Sequence, residues 1–336
     1  MRLLFAALFI TFDLIMLGAF VRVSDAGLGC PDWPGCYGKV TPFGAMDQIR
    51  VEAEARPDGP VTVFKAWVEM IHRYVATALG LIIIALVWLA VREGRSTDAR
   101  RPTDARAGTA SIGLAVFTLA WVILQGLFGM WTVTLRLQPA VVTAHLLGGV
   151  LLFALLLMQA NRVGVHPVVS PGAFRYRGWA RAALALVFVQ IALGGWVSSN
   201  YATLACQDFP TCQGAWWPEM DIAAGFEIWR PLGLRADGST LPFQALTAIH
   251  YAHRLMAYVV LVVVGLLAWR IRHHDGLGRV GVWLLAVLGA QLVTGLTNIF
   301  LDWPAVAAVL HTGGATALVG GLLMLDFRVG LASRTA

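Results

Sequence analysis

The stretch Glu69–Val91, EMIHRYVATALGLIIIALVWLAV, sets a glutamate, a histidine and an arginine at the head of a long apolar run. That run has the roughly 20-residue length that crosses a bilayer core, and it lacks the polar stripe of a water-soluble helix. His250–Trp269, HYAHRLMAYVVLVVVGLLAW, repeats the arrangement, with His253-Arg254 standing where His72-Arg73 stood. An all-α integral membrane protein assembled from related pieces follows, with ionisable groups at matched places.

Composition agrees. Of 336 residues, 58% are hydrophobic and 13% charged, about half the ~25% charge of a soluble domain. Eight spans are expected, at 3–21, 67–91, 109–133, 140–160, 179–198, 243–269, 280–301 and 305–327. The first carries Asp13 and has no small-x-small cleavage site before Arg22, so it is expected to be retained rather than removed as a signal peptide. Three short loops are basic: 92–107 with Arg92, Arg95, Arg100, Arg101 and Arg106, 161–178 with Arg162, Arg175 and Arg177, and 270–279 with Arg270, Arg272 and Arg279. With Arg2 and Arg328 they mark the cytoplasmic side, which places both termini there. The long 22–66 and 199–242 loops are then periplasmic, in a bacterial inner membrane. These basic loops account for the formal charge of +6 without a nucleic-acid partner.

The four cysteines form two matched pairs, CPDWPGC at Cys30–Cys36 and CQDFPTC at Cys206–Cys212, each 176 positions from its counterpart. Exported loops see an oxidising compartment, so each pair is expected to close a local disulfide. The bond would either stiffen the loop or exchange electrons with a partner, and a spacing other than CxxC disfavours a thioredoxin-type site. Beyond the loops, LQGLFG (124–129) matches AQLVTG (290–295), and a histidine follows each glutamine by twenty residues, His145 in AHLLGG and His311 in LHTGGA. Two repeat-related four-helix bundles are expected, 1–165 and 166–336, about an axis along the membrane normal.

His166, His273 and His274 fall in loops and are expected to be solvated. His72, His145, His253 and His311 each come about two turns after the outer end of an even-numbered span, two in each half. Ionisable side chains at such depth are costly, and two imidazoles facing each other in a helix bundle clamp a haem iron from both sides. Zinc would need further ligands that the spans do not supply. Gly148-Gly149 and Gly313-Gly314 follow two of the histidines by a turn and suit close approach of a macrocycle or of another helix. The halves differ at one place: Glu69 precedes His72 by three residues, where His250 precedes His253. Residues at i and i+3 share a helix face. Glu69 is therefore either a proton-handling group beside one haem or a salt-bridge partner of Arg73.

Together, GAFVRVSDAGLGCPDWPGC (18–36), EMIHR, AHLLGG, the His-Arg of span 6 and LHTGGA resemble the haem A synthase family over nearly the whole chain. The resemblance implies a duplicated eight-helix enzyme that oxidises the C8 methyl group of haem O to the formyl group of haem A for terminal oxidases. His72 and His145 match its ligands to the substrate haem, and His253 and His311 match its ligands to a haem b. Glu69 matches the acid beside the first ligand, a catalytic role. Cys30, Cys36, Cys206 and Cys212 match pairs found in some bacterial members only. Implied partners are the haem O substrate, haem O synthase, cytochrome oxidase assembly proteins, membrane lipid and an electron partner that the residues do not identify. The rival reading is a di-haem b-type electron-transfer cytochrome linked to quinol, which would not need Glu69. A haem transporter or chaperone, suggested faintly by GAWWPEMD (214–221), is the third.

Overall fold

The computed structural model describes residues 1–97, 112–164 and 167–332. Arg100, Arg101, Arg106, His166, the start of the third expected span and the 165/166 boundary lie outside the described residues. The chain is almost wholly helical, with only isolated bridges for β structure among the described residues. The helices are α1 (Arg2–Val23), α2 (Met46–Ala55), α3 (Val63–Thr97), α4 (Ile112–Thr134), α5 (Pro139–Val163), α6 (Arg177–Ser199), α7 (Ile222–Gly225), α8 (Phe243–Ile271), α9 (Gly278–Phe300) and α10 (Ala305–Ala332). Eight are long and apolar enough to cross a membrane; α2 and α7 are short loop helices.

Contacts between the long helices close into two rings. In the first, α1 packs on α3, α3 on α4, α4 on α5, and α5 back on α1. In the second, α6 packs on α8, α8 on α9, α9 on α10, and α10 back on α6. The rings join through α1 on α10 and α5 on both α6 and α10. One core runs across that seam, with Ile15, Val150, Phe153 and Leu157 packed among Val187, Val264, Leu318 and Leu322. Gly320 admits the Phe153 ring: a methyl group there would stand 3.3 Å from Phe153 Cε1.

The tight α4–α5 and α9–α10 turns are built alike. Arg136 and Leu137 in the first, and Asp302 and Trp303 in the second, all have positive φ. Pro139 opens α5, and the Gln138 side chain caps it by accepting from Val141 N–H at 2.9 Å.

The cysteine loops are closed by bonds Cys30–Cys36 and Cys206–Cys212, with Cα atoms 4.9 and 4.8 Å apart. Inside each, an aspartate gathers backbone donors: Asp32 accepts from Tyr37 N (2.6 Å) and Gly38 N (2.7 Å), Asp208 from Gln213 N (2.7 Å) and Gly214 N (3.0 Å). The Thr211 hydroxyl also donates to Asp208, and this bond above all holds the Asp208 carboxyl down at about 2. Each loop is then tied to its helix by the arginine that follows a histidine. Arg73 donates to the carbonyls of Asp32 (2.9 Å) and Gly35 (2.6 Å). Arg254 donates to those of Asp208 (2.9 Å), Thr211 (2.5 Å) and Cys206 (3.2 Å). All four cysteines are fully buried.

This anchoring predicts the accessibility of the second disulfide. Arg254→Ala deletes three hydrogen bonds to the loop backbone, at a cost of about 1–3 kcal/mol. Mild reductant followed by alkylation and peptide mass spectrometry is expected to label Cys206 and Cys212 earlier than in the parent protein, while Cys30 and Cys36 keep their parental rate. Equal labelling of Cys206 and Cys212 in the two proteins would count against the anchor.

Candidate functional site

Six to ten residues into α3, α5, α8 and α10 stand His72, His145, His253 and His311. All four helices start from the cysteine-loop end, so the rings share a depth. Each ring lies against a glycine of an adjacent helix. A methyl group placed on Gly18 of α1 would stand 3.2 Å from His72 Cε1, and one on Gly129 of α4 would stand 3.6 Å from His145 Cε1. In the other ring, Gly194 of α6 gives 3.0 Å to His253 Cε1 and Gly295 of α9 gives 3.4 Å to His311 Cε1. The four imidazoles are partly buried. His72 lies within electrostatic range of His145, and His253 of His311.

The donor set suits an iron porphyrin. Each ring of helices contributes two imidazoles on different helices, held in glycine notches. Among the described residues no three His, Cys, Asp or Glu side chains converge as zinc would require. The Nδ1 atoms of His72 and His145 are buried without a hydrogen-bond partner among the described residues. In the second ring, Thr294 Oγ1 lies 2.9 Å from His311 Nδ1. Gln190 Nε2 lies 3.1 Å from His253 Nδ1, 3.3 Å from its Nε2 and 3.2 Å from its carbonyl oxygen.

Glu69 is buried one turn toward the loop from His72. Its Oε1 pairs with Arg73 Nη2 at 2.5 Å, and its Oε2 accepts from Cys30 N–H at 2.8 Å. The carboxylate thus ties the histidine helix to the first residue of the disulfide. His250 holds the corresponding place in the second ring: its Nδ1 lies 3.0 Å from Ala202 O and its Nε2 3.5 Å from Arg254 Nη2. Both groups face the loop and its arginine. The ion pair expected as one of two readings of Glu69 is present.

The paired glycines after the histidines serve helix packing. A methyl group on Gly148 would fall 1.9 Å from Gln125 Nε2, and one on Gly314 2.1 Å from Gln291 Nε2, so these glycines make room for glutamine side chains from α4 and α9. Gly313 meets Met16 of α1 instead. Of the loop histidines, His274 stacks edge-on against Tyr176 at the opposite end of the bundle, far in sequence from the four. The notch glycines Gly18, Gly129, Gly194 and Gly295 escaped the sequence reading. Their signal was a glutamine four residues earlier in three of the four helices, Gln125, Gln190 and Gln291, with Leu14 in the fourth.

Comparison with known proteins adds the following. Residues 1–323 match the COX15-CtaA family, described as cytochrome oxidase assembly protein. A haem A synthase of Shewanella oneidensis is 36% identical over 328 residues, covering 97% of this chain and 95% of its own. A haem A synthase of Symbiobacterium thermophilum is 30% identical, covering 93% of this chain and 90% of its own. A third, from Caulobacter vibrioides, is 29% identical at 97% and 94% coverage.

The notches predict a steric effect. Gly194→Val would drive a side chain into the His253 ring, whereas Gly80 of α3 faces open space and Gly80→Val would not. Retained pigment in the purified protein is expected to weaken roughly tenfold in affinity for the first variant, a change of about 1.4 kcal/mol, and to be unchanged for the second. Equal pigment content in both would remove the notch from the site.

Proposed function

The chain belongs to the haem A synthase family of cytochrome oxidase assembly proteins, and we propose that it oxidises the C8 methyl group of haem O to a formyl group. The observation that carries this is the pairing of four histidines at one depth, two in each helix ring, every ring of atoms seated on a glycine. We assign His72 and His145 to the substrate haem O and His253 and His311 to a resident haem b. When bound, that haem b supplies one-electron chemistry. The overall change converts R–CH3 and water into R–CHO with release of four protons and four electrons, so both a proton acceptor and an electron acceptor are required.

Glu69 is our candidate for the proton acceptor. Its support is the difference from His250 at the matching position and the cost of keeping a carboxylate in a membrane span. Arg73 and the Cys30 N–H fix its position, which is what general base catalysis asks of such a group. The same contacts make it a strut for the loop, so a test must separate the two roles. We further infer that residues 1–165 and 166–336 are copies of one four-helix unit about an axis along the membrane normal. Supporting this, Arg22 Nη2 bonds Ser198 O and the Tyr201 hydroxyl bonds Asp25 Oδ1, both at 2.5 Å and both joining positions 176 apart. Equivalent positions meet in this way beside a two-fold axis. The basic loops support a bacterial inner-membrane site with cytoplasmic termini and periplasmic cysteine loops. Haem O synthase upstream and cytochrome oxidase assembly downstream are the matching partners.

The test is expression in a host that lacks its own synthase and terminal oxidase, with extracted haems identified by mass. Haem A is expected. Bound haem with haem O left unconverted would instead mark an electron-transfer cytochrome. Glu69→Gln is expected to keep substrate haem bound and to slow conversion roughly 10²-fold or more, with haem O or its alcohol accumulating. Normal haem A yield, or haem loss equal to that of His72→Ala, would confine Glu69 to the loop strut.

A further inference from the structure

We propose that Gln190 and Thr294 are positioning residues that lock the His253/His311 pair onto a permanently held haem, and that their absence from the first ring leaves the His72/His145 pair free to release one. The proposal rests on the assignment of the four histidines as haem ligands.

The two rings are matched in helix order, glycine notches and loop anchors, so a difference beside the ligands stands out. Thr294 immediately precedes the notch glycine Gly295, and its hydroxyl lies 2.9 Å from His311 Nδ1. The same place before Gly129 is Phe128. Gln190 sits four residues before the notch glycine Gly194, and its amide reaches His253 Nδ1 at 3.1 Å. The same place before Gly18 is Leu14. Gln125 precedes Gly129 at this spacing, but its amide is turned to Gly148 and has no partner among the described residues. Both Nδ1 atoms of the second ring therefore have a polar side chain within hydrogen-bonding distance, and neither Nδ1 of the first ring has a hydrogen-bond partner among the described residues.

The consequence follows from how imidazole binds metal. One ring nitrogen binds the iron and the other keeps its hydrogen, which then seeks an acceptor. That partner fixes the tautomer and ring orientation, and its removal typically costs 10–100-fold in affinity. The Thr294 oxygen can accept from a protonated His311 Nδ1, and Gln190 does the same for His253 when its amide is turned over to present Oε1, which as it stands has no partner among the described residues. Leucine and phenylalanine cannot, and an N–H left unpaired in an apolar bundle is disfavoured. A ring without such a bond turns about its side-chain torsions with no hydrogen bond to break. The ring pair serving a resident cofactor gains from the lock, whereas a pair that must take in substrate and let product go is hindered by it. His72 and His145 alike have no such bond among the described residues.

The experiment measures haem release from purified full-length protein into excess apomyoglobin, with low-spin optical and electron paramagnetic resonance spectra recorded in parallel. Gln190→Leu and Thr294→Val are each expected to speed loss of the tightly held haem roughly 10–100-fold and to shift its low-spin resonance, which reports ligand ring orientation. Gln190→Glu, which keeps an acceptor, is expected to restore retention. Leu14→Gln is expected to slow release from the first ring. Parental release rates and spectra in Gln190→Leu and Thr294→Val would overturn the proposal. His253→Ala and His311→Ala serve as controls. If they abolish the low-spin signal while the positioning variants change nothing, the lock is wrong and the ligand assignment stands. If they leave the signal intact, the assignment itself fails. Should Gln190→Leu not fold, Thr294→Val on a different helix carries the same test.

Discussion

A half-buried imidazole on one helix needs room on the next, and glycine provides it. Each of the four histidines lies against a glycine of an adjacent helix: a methyl group would crowd the ring at Gly18 (3.2 Å) and Gly194 (3.0 Å) and would just reach contact at Gly129 (3.6 Å) and Gly295 (3.4 Å). This contact dictates who packs beside whom: α3 beside α1, α5 beside α4, α8 beside α6 and α10 beside α9. Those are four of the eight contacts that close the two rings. Apolar surface alone cannot select such neighbours inside a bilayer, where lipid tails are as apolar as leucine. Shape and polar matching must do it, so the four histidines and their glycines also sort the helices.

A second constraint couples the long apolar helices to the cysteine loops. Arg73 and Arg254 directly follow a histidine, and their guanidinium groups reach out to loop carbonyls. A buried charge is tolerable only when its donors are largely met, and the turn-rich cysteine loops, with carbonyls facing inward, meet terminal nitrogens of both groups, while Arg254 Nε has no partner among the described residues. The disulfides hold those carbonyls in place. Loop and histidine helix are thus tied together, and the pairing of the two recurs in both halves although Cys36 stands 36 residues before His72 and Cys212 stands 41 before His253.

Much of this was legible in the sequence, because length and apolarity decide membrane helices. Helix ends differ modestly: α3 begins at Val63 where the apolar run suggested 67, and α8 extends to Ile271 where it suggested 269. Polar residues at the interface still complete helical turns, and hydropathy does not register them. The cysteine pairing was legible from count and spacing. The notch glycines were not, since a glycine is functional only through the neighbour it faces. Helix adjacency is a tertiary fact. Glu69 shows a finer limit. Spacing i, i+3 placed it on the face of His72, but Arg73 at i+4 and the Cys30 N–H draw the carboxylate toward the loop. Helical periodicity fixes where a Cβ points and leaves a long side chain free to choose its partner.

Duplication supplies the last step. On the proposed reading, two copies of one bundle begin with the same histidines, the same notches and the same loop anchors, and divergence then acts on what surrounds them. Substituting a ligand would abolish a site. Exchanging a glutamine for a leucine nearby would, on the proposal above, alter only how long the ligand stays in place. The difference between Leu14 and Gln190, and between Phe128 and Thr294, is of this gentler kind. Leucine and glutamine fill similar space on a helix flank, whereas phenylalanine is much the larger member of the Phe128/Thr294 pair. On the proposed reading, such exchanges let one architecture hold a cofactor in one half and pass a chemically similar molecule through the other. Discrimination between the two haems would then rest on residence time rather than on the ligands themselves.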